Sequence, residues 1–231
     1  MVFGPFILPR PSEAADALLR LTRSGEVASA LKTTAIQSLL GWLAGCLFGA
    51  ALALLASSSE RIRHALGPVA TGFLGIPPVA WLVLAFLWFG SSGFMPGFTV
   101  AVTIFPVVFL AALQGLDARD PSLAEMAALY HASRTLTFTD IDLPQILDHL
   151  LPAAATALGL AWKVCVMSEV IGSGTGIGGR LATARAHLDL PETMAWIVLI
   201  TLLVLFCDMA LIAPLRSWVA ARRDTTPMRI D

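Results

Sequence analysis

The sequence predicts an all-α polytopic membrane protein with about five spanning helices behind an amphipathic N-terminal arm. Composition is the first ground: of 231 residues 57% are hydrophobic and 13% charged, with a mean hydropathy of +0.78. Soluble domains carry about 25% charged residues, so a chain this poor in charge belongs in a bilayer. The second ground is that its uncharged stretches are long enough to cross about 30 Å of hydrocarbon. The third is a single long polar interruption, Leu116 to Ile146, inside the apolar part.

The same composition excludes other classes. A net charge of −1 without a basic patch gives no reason to expect nucleic acid. Cys46, Cys165 and Cys207 lie far apart in apolar segments, with neither metal-ligand spacing nor a disulfide framework, and read as packing residues. The opening residues lack a basic n-region, and Pro5 and Pro9 interrupt their apolar run, so they do not read as a cleavable signal.

Residues 1–32 read as an arm. Pro11-Ser12-Glu13 starts a helix in which Leu18, Leu19 and Leu21 alternate with Asp16, Arg20 and Arg23, suited to the membrane surface or the side of the bundle. The first span, Thr33 to Ser57, carries Gly41, Gly45 and Gly49 four apart, continued by Ala53. This small-residue face is expected to pack on another helix. A basic loop with Arg61, Arg63 and His64 follows.

From Ala65 to Leu116 there is no formal charge, and the stretch divides at Gly90-Ser-Ser-Gly93. The second span, roughly 66–89, is interrupted by Pro77 and Pro78 ahead of Trp81. Proline frees backbone carbonyls that lipid cannot satisfy, so this break is expected to pack in protein or line a wet cavity. The third span, roughly 96–116, has Pro106 near its middle.

The polar interruption reads as a docking loop. Asp120-Pro121 is a capped helix start, with Ser122 and Glu125 offering an alternative capping box. Leu123, Met126, Ala127 and Tyr130 follow helical spacing and give one apolar face. Ala127 and Ala128 are small enough for a partner's close approach. A second arm carries Phe138, Ile141, Leu143 and Pro144, and Pro144 limits an unbroken helix.

The fourth span, about 149–171, contains Lys163 and Glu169. Ionisable groups inside membrane helices are rare and face protein or water. Six residues apart, they point about 120° from each other on a regular helix. Both are pathway candidates, as are Pro77, Pro78 and Trp81. The structural alternative is that Lys163 snorkels or pairs with a neighbouring helix while Glu169 sits at the outer interface.

Gly172 to Gly179 contains a formal G-x-G-x-x-G, but a membrane helix precedes it where a dinucleotide site needs a strand. It reads as an outer glycine-rich loop, followed by a short surface helix from Arg180 to Leu190. The last span, about 193–214, holds Asp208, with Trp196 and Trp218 suited to an aromatic belt. Residues 217–231 form a basic tail.

Glu125-Met126-Ala127-Ala128, His131, and Ile141-Asp142-Leu143-Pro144 together resemble the EAA loop of ABC-importer permeases, whose signature is E-A-A, three residues, G, nine residues, I-x-L-P. The spacing fits without a gap. Met126 replaces the first alanine and His131 replaces the glycine, a position suited to a helix end with positive φ. A side chain there costs on the order of 1 kcal/mol. Further stretches are similar to the nitrate/sulfonate/taurine branch: Leu8 to Glu13, Pro77-Pro78-Val79-Ala80-Trp81, Leu87 to Gly90, and Glu169 with Gly172.

The resemblance implies a type I ABC-importer-like transmembrane bundle in a bacterial-type inner membrane: 33–216 the permease domain, 117–146 its cytosolic coupling loop, the tail cytosolic. It implies a chain without catalytic or metal site, the permease subunit of an importer for a small anionic solute. Expected partners are cytosolic ABC ATPase subunits that hold the ATP and Mg, a second permease copy or relative, and an extracytoplasmic substrate-binding protein. Glu125, Met126, Ala127, Ala128, His131, Ile141, Leu143 and Pro144 would carry the ATPase coupling.

Lysine and arginine counts agree with this orientation, since the Arg61/Arg63 loop, Arg119, Arg134 and the tail fall inside while the outer loops carry only Arg180 and Arg185. The arm, with Arg10, Arg20, Arg23 and Lys32, breaks the rule. An upstream span would carry it across, so the sequence is expected to begin within the branch's usual length or to be a five-helix variant. Two other classes stay open: an ion-driven secondary transporter, which predicts an internal repeat and clustered mid-membrane charge, and a non-transporting scaffold of permease fold.

Overall fold

The computed structural model describes residues 9–57, 59–173 and 175–212. The residues Leu8, Trp218 and the basic tail 217–231 lie outside the described residues. Within them the chain is helical throughout: α1 Pro11–Arg23, α2 Glu26–Ser57, α3 Glu60–Gly75, α4 Pro78–Phe89, α5 Phe94–Asp117, α6 Pro121–Leu129, α7 Arg134–Thr137, α8 Leu143–Ser168, α9 Gly176–Ala186 and α10 Leu190–Cys207. Three π-helical turns, Phe138–Asp142, Glu169–Ser173 and Asp208–Ile212, extend α7, α8 and α10. Four helical runs, those of α2, α5, α8 and α10, are long and apolar enough to cross a membrane, and α3 and α4, bent by 92° at their junction, pass the same test of length and composition only when taken together.

α5 is the centre, lying between α2 and α8. Gly41, Gly45 and Gly49 of α2 are all buried. A Cβ on Gly41 would stand 2.6 Å from the Gly97 carbonyl of α5, and one on Gly45 2.9 Å from that of Ala101. Lipid is as apolar as leucine, so close backbone packing and not exclusion of water selects this contact. On its other side α5 sets Val100, Ile104 and Val108 against Ala157, Ala161 and Cys165 of α8. The Trp42 indole of α2 donates to the Ala154 carbonyl at 2.9 Å, tying α2 to α8 as well.

Several boundaries differ from the sequence reading. The first spanning helix begins at Glu26, inside the stretch assigned to the arm, because the only break is the Ser24-Gly25 turn with Gly25 at φ 79. The arm helix α1 lies against the bundle: Ala17 and Leu21 join Ile177, Ala184 and Trp196 in one buried cluster. Trp196 is thus a core residue and not part of an aromatic belt. The second span is not one helix, since α3 and α4 meet at 92°. Pro77 caps α4 and Pro78 is its first residue. The helix after the glycines begins at Gly176, not Arg180, and its first turn is buried.

Candidate functional site

The polar loop between α5 and α8 is built from its ends inward. The Asp120 side chain caps α6, accepting from the Ser122 N–H at 2.9 Å and the Ser122 hydroxyl at 2.7 Å. The alternative box through Glu125 does not form. At the far end the Ala132 N–H donates to Ala127 O at 2.9 Å and the His131 N–H to Ala128 O at 3.1 Å. With His131 at φ 51 this is the Schellman closure, histidine standing where glycine is usual. The sequence expectation of positive φ at this position holds.

The helix is fastened to the start of α8. The Asp120 N–H donates to Gln145 Oε1 at 2.8 Å, and Arg119 stands 3.4 Å from the Asp142 carboxylate. Arg63, after the first span, forms an ion pair with Asp117. Pro144 does not stop the helix. It lies in the first turn of α8, and the turn before it widens to π geometry, with the Leu143 N–H reaching Phe138 O. A proline ring leaves the carbonyl four residues back without its donor, and the wider turn absorbs the mismatch.

The apolar face of α6 divides. Ala127 is 7% exposed and Leu123 half-buried, whereas Leu129 and Tyr130 are 78% and 81% exposed, with Met126, Ala128 and Glu125 also outward. Ile141 and Leu143 are half-buried. The exposed apolar surface of the loop therefore consists of Met126, Leu129 and Tyr130 on α6, with Leu136 and Phe138 also exposed on the second arm. Leu129 and Leu136 were not among the expected site residues. Exposure on a loop pinned at both ends is the signal that finds them.

The pathway candidates separate. Glu169 is buried within the chain: it is 1% exposed, and its carboxylate accepts from the Thr34 hydroxyl at 2.9 Å and the Gly178 N–H at 3.0 Å. The Thr34 hydroxyl in turn accepts from the Ile177 N–H at 3.0 Å. These N–H groups belong to the first turn of α9, which has no intrahelical acceptors for them. Thr34 and Glu169 act as a remote cap, and the helix dipole favours the carboxylate there. A Cβ on Gly176, at φ 74, would fall on that carboxylate. The glycine-rich stretch thus lets a helix end approach a buried acid.

Trp81 stacks on Phe73 with centroids 5.0 Å apart and lines an apolar cleft of about 670 Å3 beneath α3 and α4. Pro77 is exposed and Pro78 half-buried at the elbow, outside that cleft. Lys163 is elsewhere, on the outward side of α8 beside Asp208 of α10, where both line a smaller cavity. The structure therefore does not gather Trp81, Lys163 and Glu169 into one site.

Residues 39–222 match the family described as binding-protein-dependent transport system inner membrane component. The chain is 25% identical over 91% of its length to the taurine transport system permease protein of Escherichia coli, covering 78% of that protein. It is 27% identical over 66% of its length to the nitrate import permease protein of Leptolyngbya laminosa, covering 53% of it. It shares its fold, at a TM-score of 0.69 and 19% identity, with a chain from the crystal structure of an amino acid ABC transporter with histidines, 88% of this chain covering 98% of that one. With four-fifths of its length inside the family match and the helical bundle of its neighbours, the chain belongs to the binding-protein-dependent inner membrane components, as a type I ABC-importer permease of the nitrate, sulfonate and taurine branch.

Proposed function

We propose that this permease subunit moves a small solute carrying an anionic group, and that a cytosolic ABC ATPase drives it by docking on the loop from Pro121 to Pro144. The observation that carries the reading is the outward apolar surface of Met126, Leu129 and Tyr130 on a short helix capped at both ends and bonded to α8. A helix held this way transmits displacement into the span that follows it. ATP-driven closure favours one pathway state only through a contact that differs between the two states, and the ATPase's contact with this outward surface would be that contact.

The elbow at Pro77-Pro78 supports a second permease copy. Irregular backbone at membrane depth persists only when protein or a water-lined cavity covers it, yet Gly75, Ile76, Pro77 and Val79 are exposed on this chain. A partner copy and the pathway between the copies would cover them. The anionic solute is supported by Lys163, an exposed cation within a spanning helix, and by relatives named for nitrate and taurine. A substrate-binding protein would deliver the solute outside, and ATP with Mg would be held by the ATPase.

The test is co-purification of the cognate ATPase with the wild-type chain and with Met126→Asp and Tyr130→Asp. Each substitution is expected to lower bound ATPase at least about tenfold, as for loss of an interface anchor. A substitution at Ala127, which is 7% exposed and packs inward, would instead disturb the helix itself. If the wild-type chain retains no ATPase, the coupling reading fails.

A further inference from the structure

Gln145 follows Pro144 in the first turn of α8, and its half-buried side chain is bonded in two directions. Its Oε1 accepts from the Asp120 N–H at 2.8 Å, and its Nε2 donates to the Ile141 carbonyl at 2.9 Å. Asp120 is the residue that caps α6, and Ile141 belongs to the π-helical turn ahead of α8. One amide thus joins the entry of the docking helix to the entry of the span. The parallel link, Arg119 with Asp142, is longer at 3.4 Å and its arginine is exposed, and ion pairs of that kind contribute little. Without the amide, α6 would reach α8 mainly along the chain, through the turn at His131 and the short α7. At this level α8 has no slack against α5: a Cβ on Gly115 would stand 2.9 Å from the Ile146 Cα.

α8 carries this joint a long way. Its 26 residues span about 39 Å, and Pro152 lies within the helix without ending it. Through Ala157, Ala161, Val164 and Cys165 it meets α5 on apolar side chains. At its far end a second polar joint forms, Glu169 with Thr34 of α2 and Gly178 of α9. We propose that Gln145 is a positioning residue for coupling: its amide makes α8 follow α6, so that displacement of the docking helix reaches the Glu169 joint at the other end of α8. This rests on the docking of an ATPase on α6 and adds the bond that transmits it. Packed elements hold discrete arrangements, so a small shift at one end of a helix is resolved at the other.

The test uses the permease with its ATPase in lipid nanodiscs, with Cys46, Cys165 and Cys207 replaced by alanine and a fluorophore attached to Ile171→Cys. Ile171 is 50% exposed, in the π-helical turn that continues α8 beyond Glu169. The readout is the fluorescence change between the nucleotide-free complex and the complex trapped with ATP and vanadate, divided by the ATPase bound. Gln145→Met keeps the length of the side chain and removes its amide. It is expected to retain the ATPase and to lower the change about threefold or more, as for loss of one half-buried hydrogen bond. Gln145→Glu, which keeps an acceptor for the Asp120 N–H, should return most of the response.

An unchanged response per bound ATPase in Gln145→Met overturns the proposal, even where thermal stability falls, because Gln145 then only supports the fold. Failure of Gln145→Glu to recover the response overturns it as well. Loss of the ATPase itself from Gln145→Met places the residue in docking and not in transmission, and has the same consequence. The docking it rests on fails separately. If the labelled protein with Gln145 intact binds no ATPase, docking is rejected; if it binds ATPase but gives no response on trapping, only transmission through α8 is rejected.

Discussion

Thr34 is one hydroxyl near the start of an apolar helix, and its two hydrogen bonds join three elements. It donates to Glu169 at the end of α8 and accepts from Ile177 in the first turn of α9. Thr34→Ala leaves that N–H unpaired and removes a donor from the buried carboxylate, an expected loss of about 1–3 kcal/mol. Thr34→Ser keeps the hydroxyl and should retain most of it. Gly178→Ala fails for another reason, since its Cβ would stand 2.8 Å from that of Glu169. Thermal unfolding of the three variants in detergent separates them, with Thr34→Ser near wild type and the other two well below. His131 belongs to the same scale. Its positive φ was legible because the EAA spacing marks the position, whereas the Thr34 partner of Glu169 was not, because it comes from 135 residues away in the chain.

At the scale of elements, the glycine step on α2 was legible as a packing face, and the structure supplies its partner, α5. Gly45→Leu places a side chain where the Ala101 carbonyl stands, and overpacking of this kind costs about 1–3 kcal/mol. Gly67→Ala and Gly72→Ala on α3 meet nothing within 4 Å, and removing glycine from a helix interior should stabilise by about 0.5–1 kcal/mol. Glycines of the same chain are thus expected to respond with opposite sign, and unfolding midpoints measured side by side check it. The π-helical turns were not legible. Each sits at the end of a helix: one ahead of Pro144, one beginning at Glu169, one at Asp208. Hydrophobic periodicity cannot register one extra residue in a turn.

At the scale of the whole molecule, the bundle leaves its elbow uncovered. Val79 follows the two prolines and is exposed, as are Ile76 and Leu74. With Cys46, Cys165 and Cys207 replaced by alanine, Val79→Cys is expected to cross-link to a second copy of the chain on oxidation. Recovery of only monomer would place the elbow against lipid or another protein and remove the dimer face from this side. The arm shows the reverse relation. Its leucines and charges suited either the membrane surface or the bundle, and Trp196 of α10 decides for the bundle by completing the cluster with Ala17 and Leu21.

The sequence by itself determined the membrane class, the long apolar helices and the polar loop between the third and fourth of the expected spans. These rest on composition, on run length against the thickness of hydrocarbon, and on local spacing, all of which act between near neighbours in the chain. Only the tertiary structure decided which faces meet. It turned Ala127 inward and Tyr130 outward, buried Glu169 as a cap on α9, and set Lys163 and Asp208 on one cavity between two helices. Such pairings depend on helix rotation and crossing, which packing between distant segments fixes and no local pattern encodes.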